Sequence, residues 1–63
     1  MDGFAHIDAA YGGEDWTALT CGKRVGDKIY MFGQMWHTHV DTVLGRILDL
    51  IEQYGCAPVY VNP

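Results

Sequence analysis

Residues 38–61, Thr-His-Val-Asp-Thr-Val-Leu-Gly-Arg-Ile-Leu-Asp-Leu-Ile-Glu-Gln-Tyr-Gly-Cys-Ala-Pro-Val-Tyr-Val, change the period of the chain. Val40, Val43, Leu44, Ile47, Leu48, Ile51 and Tyr54 recur at three- and four-residue spacing, the stripe of an amphipathic helix. Thr38 is placed to cap its start, with Asp41 three residues later as in a capping box. Gly55 follows Tyr54 where a left-handed C-terminal cap belongs. Gly45, inside the helix, is either a mild cost or a point of close packing on a sheet. Residues 57–61 then read as a strand entered through Pro58, a residue tolerated at a strand's start or edge.

Upstream of the helix the pattern is that of strands. Residues 3–9, Gly-Phe-Ala-His-Ile-Asp-Ala, form a short first strand. The paired glycines of Tyr11-Gly12-Gly13-Glu14-Asp15 break it. Residues 16–22 are rich in β-branched and aromatic side chains and give a second strand. Val25-Gly26-Asp27-Lys28 carries a tight-turn signal, and residues 29–36 form the third strand. Three strands on short turns predict an antiparallel meander. The order is βββαβ: an α/β fold in which the helix returns the fourth strand parallel to the first. Side-chain alternation predicts one sheet face with Ala5, Ile7, Leu19, Cys21, Ile29 and Met31, and another with Phe4, His6, Asp8, Trp16, Ala18, Tyr30 and Phe32. Both faces are largely apolar, and one helix covers only one of them.

The chain's 63 residues allow a single small domain or part of a larger one, with marginal stability of its own. A net charge of −4 argues against free-standing nucleic-acid binding, although Lys23, Arg24 and Lys28 cluster at one turn, where they read as a solvated hairpin tip. Cys21 and Cys56 form no CxxC motif and no dense framework, and two lone thiols fit a reducing cytosol. The opening Met1-Asp2-Gly3-Phe4 lacks the basic start and apolar run of a signal peptide. Nor does any apolar stretch approach the roughly 20 residues that span a bilayer, so no membrane association is expected.

Asp8 is the leading candidate for chemistry. A carboxylate inside an apolar strand is costly unless it meets a cation or hydrogen-bond donors. It is either a ligand for a hard cation or a strand-end side chain capping the next turn. The His37–His39 pair reads as surface or capping histidines, His6 as half-buried, and Glu14 and Asp15 as solvated loop acids.

The segment Ala5-His6-Ile7-Asp8-Ala9-Ala10, followed by Gly12-Gly13-Glu14-Asp15-Trp16-Thr17-Ala18-Leu19-Thr20, resembles the start of the RNase H-like nuclease domain of phage terminase large subunits. That family opens the domain with a strand ending in a catalytic aspartate, then a glycine- and acid-containing loop, then a strand beginning aromatic-Thr-Ala. The stretch from Lys28 to Trp36, the helix and Pro58-Val59-Tyr60-Val61 keep the family's order, so the resemblance covers nearly all of residues 1–63. It implies a partial RNase H-like fold in which Asp8 is catalytic and the first ligand of Mg²⁺ or Mn²⁺. The family's role is cutting concatemeric double-stranded DNA in genome packaging, in the cytoplasm of a bacterial host. The family's second carboxylate stands at the end of the fourth strand, where this chain has Asn62, with Pro63 after it. A chain with one of the carboxylates is expected to be inactive alone and, with a free sheet edge, to form a homodimer. Two other readings remain: a stand-alone small dimeric structural or regulatory protein, and part of another RNase H-like enzyme such as a resolvase or transposase.

Overall fold

A computed structural model describes residues 2–12 and 14–62; Met1, Gly13 of the first turn and Pro63 lie outside the described residues. The elements run β1 (Gly3–Asp8), β2 (Thr17–Val25), β3 (Lys28–Trp36), α1 (Val40–Tyr54) and β4 (Val59–Asn62). They make one four-stranded sheet of order β3-β2-β1-β4. β1–β2 and β2–β3 are antiparallel and β1–β4 is parallel, so the expected βββαβ fold is the observed one. Strand β2 runs three residues beyond its expected end at Gly22, and β4 begins two residues after Ala57.

The β2–β3 connection shows why. Gly26 takes φ +65°, the left-handed backbone that a two-residue hairpin turn needs, and Val25 pairs directly with Lys28. Pairing therefore continues to the very tip. The turn also fixes register: Cys21 pairs with Phe32 and Leu19 with Gln34. This corrects the expected faces of the third strand. Tyr30, Phe32 and Trp36 share the helix-covered face with Ala5, Ile7, Leu19 and Cys21, whereas Ile29, Met31 and Met35 lie on the opposite face and are exposed. The alternation itself was right; the turn shifted its phase by one residue.

The core lies between the sheet and α1. Ala5, Ile7, Leu19 and Cys21 meet Val40, Ile47, Leu50, Ile51 and Cys56, with Ala9, Phe32, Trp36 and Val43 packed around them. The helix uses a stripe slightly rotated from the expected one: Leu50 is buried, while Leu44 and Leu48 stay exposed. Gly45 has nothing within contact distance of a Cβ, so it is a helix cost and not a packing point. At the C-terminus Gly55 takes φ +64°, its N–H donates to the Glu52 carbonyl, and the Cys56 N–H donates to Ile51, closing the helix as expected. The N-cap differs: it is His39, whose Nδ1 accepts the Asp41 N–H at 3.0 Å. That bond uses the neutral nitrogen's lone pair, so the 3.7 Å approach of the exposed Asp41 carboxylate to the same atom adds little.

Thr38 has another role, through its carbonyl. It accepts the Thr17 hydroxyl at 2.9 Å, and that same hydroxyl accepts the Ala10 N–H at 3.1 Å. The Ala10 carbonyl in turn accepts the Val40 N–H at 2.8 Å, satisfying one of the free donors of the first helical turn. Thr17 is fully buried, so one hydroxyl joins the exits of β1 and β3 beneath the start of α1.

Thr17→Val keeps the shape and removes both bonds, leaving the buried Ala10 N–H and the half-buried Thr38 carbonyl without this partner. It should destabilise the chain by about 2–3 kcal/mol, a large share of the 5–15 kcal/mol typical of a domain. Thr17→Ser should recover most of the loss. Urea unfolding of the three proteins checks this, and equal midpoints would contradict it.

Candidate functional site

Strands β1 and β4 run in the same direction, so their carboxyl ends emerge together. The register places Asp8 beside Asn62 and His6 beside Tyr60, with Ala18 and Thr20 on the other flank of β1. Backbone bonds extend this pairing at both ends: the Ala5 N–H donates to the Pro58 carbonyl at 2.9 Å and the Ala9 N–H to the Asn62 carbonyl at 3.2 Å. Asp8 follows Ile7 by one residue and so points to the face that α1 does not cover. Asp8 and Asn62 are exposed and His6 is half-buried. Among the described residues nothing donates a hydrogen bond to the Asp8 carboxylate, so it caps no turn, and its oxygens are open to water or a cation.

The remaining candidates are separated. Glu14 and Asp15 stay in the exposed first turn, where the Asp15 N–H donates to the Gly12 carbonyl at 3.2 Å. The HxH rings go to different partners: His37 stacks on Trp16 at 4.7 Å between centroids and donates from Nε2 to the Glu14 carbonyl, while His39 caps α1 and meets the Tyr11 ring edge-on at 5.9 Å. No three His, Cys, Asp or Glu side chains gather into a metal-holding group among the described residues. Lys23, Arg24 and Lys28 are exposed on the hairpin.

The cysteines depart from their reading as separate thiols. Cys21 and Cys56 are both free and buried, and both line a cavity of about 420 Å³ with Phe32, Tyr54 and Lys23 at the end of the helix. Burial pushes the Cys21 thiol from an ordinary 9.0 up to about 11, and the charge and hydrogen bond of Cys56 push it the same way. Sequence spacing does not signal this approach. It follows only once β4 is known to pair with β1, because Cys56 lies in the turn that leads into β4, three residues before Val59, and Cys21 is the cross-strand partner of Ala5 in β1.

No protein-family model, curated protein or solved structure matches the chain. The site therefore rests on its own residues: a solvent-facing carboxylate and amide at the ends of two parallel strands, and a buried pair of thiols on the other face. No helix among the described residues is long and apolar enough to cross a membrane.

Because folding raises the Cys21 value, the unfolded chain loses that proton first. Stability should be unaffected by this group below about pH 9 and fall as pH rises toward 11, by about 1.4 kcal/mol per unit of pH across that window. Urea midpoints of the reduced chain between pH 8 and about 11, compared with Cys21→Ala, measure it; identical slopes in the two proteins would contradict it.

Proposed function

We propose that this chain contributes the opening strands and first helix of an RNase H-like, metal-dependent nuclease of the kind found in phage terminase large subunits. Asp8 is its first cation-binding carboxylate. The observation that supports this reading is the pairing of Asp8 with Asn62 at the exposed carboxyl ends of parallel strands. Ligands of open α/β sheets bind outside the carboxyl ends of the strands. Under this reading Asn62 occupies the position of the family's second carboxylate, the parent enzyme acts on double-stranded DNA, and its compartment is the cytoplasm of a bacterial host.

The residues present fit only part of such a centre. Mg²⁺ and Mn²⁺ take hard oxygen ligands, and the Asp8 carboxylate and Asn62 amide offer two such side chains. Two-metal phosphodiester hydrolysis holds its ions about 3.5–4 Å apart and needs several carboxylates to balance their charge. With one carboxylate at the site, these residues carry no hydrolytic step by themselves.

Mn²⁺ titration followed by NMR should give weak, fast-exchange broadening centred on Asp8 and Asn62, and plasmid DNA should stay uncut. Asn62→Asp should tighten Mn²⁺ binding by at least about tenfold by adding a second charge at the site. Unchanged affinity in Asn62→Asp, or broadening centred elsewhere, would sink the assignment. Nicking by the unaltered chain that Asp8→Ala abolishes would overturn the claim that the site is incomplete.

A second reading, a small dimeric structural or regulatory protein, is favoured by the surface opposite α1. Ile29, Met31 and Met35 are each about 60–70% exposed there, and all of β4 is exposed at the sheet's edge. An unpaired strand edge is a template for another chain. Covering several hundred Å² of apolar surface is worth on the order of 10 kcal/mol before association costs. Under either reading the chain should sediment as a homodimer at micromolar concentration, and a folded, purely monomeric species would remove the case for self-association.

A further inference from the structure

We infer that Cys21 and Cys56 form a reversible intramolecular disulfide, a redox clip that staples β2 to the turn between α1 and β4. The inference is independent of the nuclease reading and concerns the opposite face of the sheet.

Three observations carry it. Gly55, at φ +64°, turns the chain inward at the helix end, so that Cys56 is only 4% exposed and belongs to the same core cluster as Cys21. The register then sets the lateral separation. Ala5 is the cross-strand partner of Cys21, and its N–H is bonded to the carbonyl of Pro58, two residues beyond Cys56. Ala5 is fully buried in the same core cluster as both cysteines, and the two thiols stand close enough there to share a hydrogen bond. Finally, both thiols line the same cavity of about 420 Å³, which opens between Lys23, Tyr30, Phe32 and Tyr54 and admits a small oxidant. Neither thiol has a competing strong partner: the Cys56 S–H makes one long contact, 3.8 Å, to the Tyr54 carbonyl.

The oxidant is a small peroxide or a small disulfide. With hydrogen peroxide, one thiolate sulfur attacks an oxygen, the O–O bond breaks, and a sulfenic acid and one water result. The second thiol then attacks the sulfenic sulfur; the S–S bond forms, the S–O bond breaks and a second water leaves. Both cysteines are oxidised by one electron each, and peroxide takes up two electrons and both thiol protons. With oxidised glutathione, two thiol–disulfide exchanges give the same product and two molecules of reduced glutathione. The thiolate is the attacking species in each route, so burial makes the clip slow at neutral pH and faster as pH rises.

The bond closes a loop of about 35 residues. In the chain-entropy treatment a loop of that size raises the folded-to-unfolded ratio by about 10²–10³-fold, provided the native geometry accepts the link. Its position gives it a consequence: the turn it anchors leads directly into β4, the strand that ends at Asn62.

The test treats the folded, reduced chain with hydrogen peroxide and, separately, with oxidised glutathione. Mass spectrometry and thiol counting follow the product. The expected result is loss of two hydrogen atoms from a single chain, peptide mapping to Cys21–Cys56, a raised urea midpoint that a dithiol reductant reverses, and a rate that climbs with pH. Cys56→Ser should form no intramolecular link. Two intact thiols after oxidation of the folded chain, cross-links only between chains, or an oxidised chain less stable than the reduced one would each overturn the inference.

Discussion

The buried hydroxyl of Thr17 is the contact on which the arrangement of the other elements depends. A chain that leaves β1, pairs back as a meander and then crosses under a helix must dispose of backbone groups at each exit, and buried ones must be paired. One side chain does this for two exits. It takes the Ala10 N–H as β1 ends and gives its proton to the Thr38 carbonyl as β3 ends. With Ala10 held, its carbonyl receives the first N–H of α1. The first turn of the helix is thereby tied to the exits of β1 and β3, and after the helix β4 returns beside β1.

That return places the chemistry. Parallel pairing of β1 with β4 sets Asp8 against Asn62 on one face and, through Ala5, brings Cys56 toward Cys21 on the other. The two faces differ in what they can support. On the open face a carboxylate and an amide stand in solvent at the carboxyl ends of two parallel strands. Beneath the helix, two thiols are held in an apolar cavity where the neutral forms are favoured. The same ladder of hydrogen bonds sustains both.

Much of this fold was legible in the sequence because its signals are local. The switch from alternation to a three- and four-residue period marks α1, and among the described residues Gly26 and Gly55 stand where the backbone takes positive φ. The faces of the third strand were not legible, because one residue of turn register inverts a strand and the register depends on how Val25 pairs with Lys28. The N-cap was missed as well. Thr38 is the better capping residue by propensity, yet the helix starts one residue later and the His39 ring takes the Asp41 N–H, while Thr38 contributes its carbonyl to Thr17. Asp8 could be singled out from its apolar neighbours alone, whereas its closeness to Asn62, and that of Cys21 to Cys56, arises from long-range pairing that no local pattern encodes.

The central claim is that a Thr17-centred junction holds β4 parallel to β1. Solution NMR of the labelled chain tests it most directly, through cross-strand contacts and amide exchange in one sample. The structure predicts backbone contacts linking Ala5 with Val59 and Ile7 with Val61, together with an Ala10 amide that exchanges as slowly as those of the central strands. An Ala10 amide exchanging at the rate of an exposed loop, with β4 showing no contacts to β1, would contradict it.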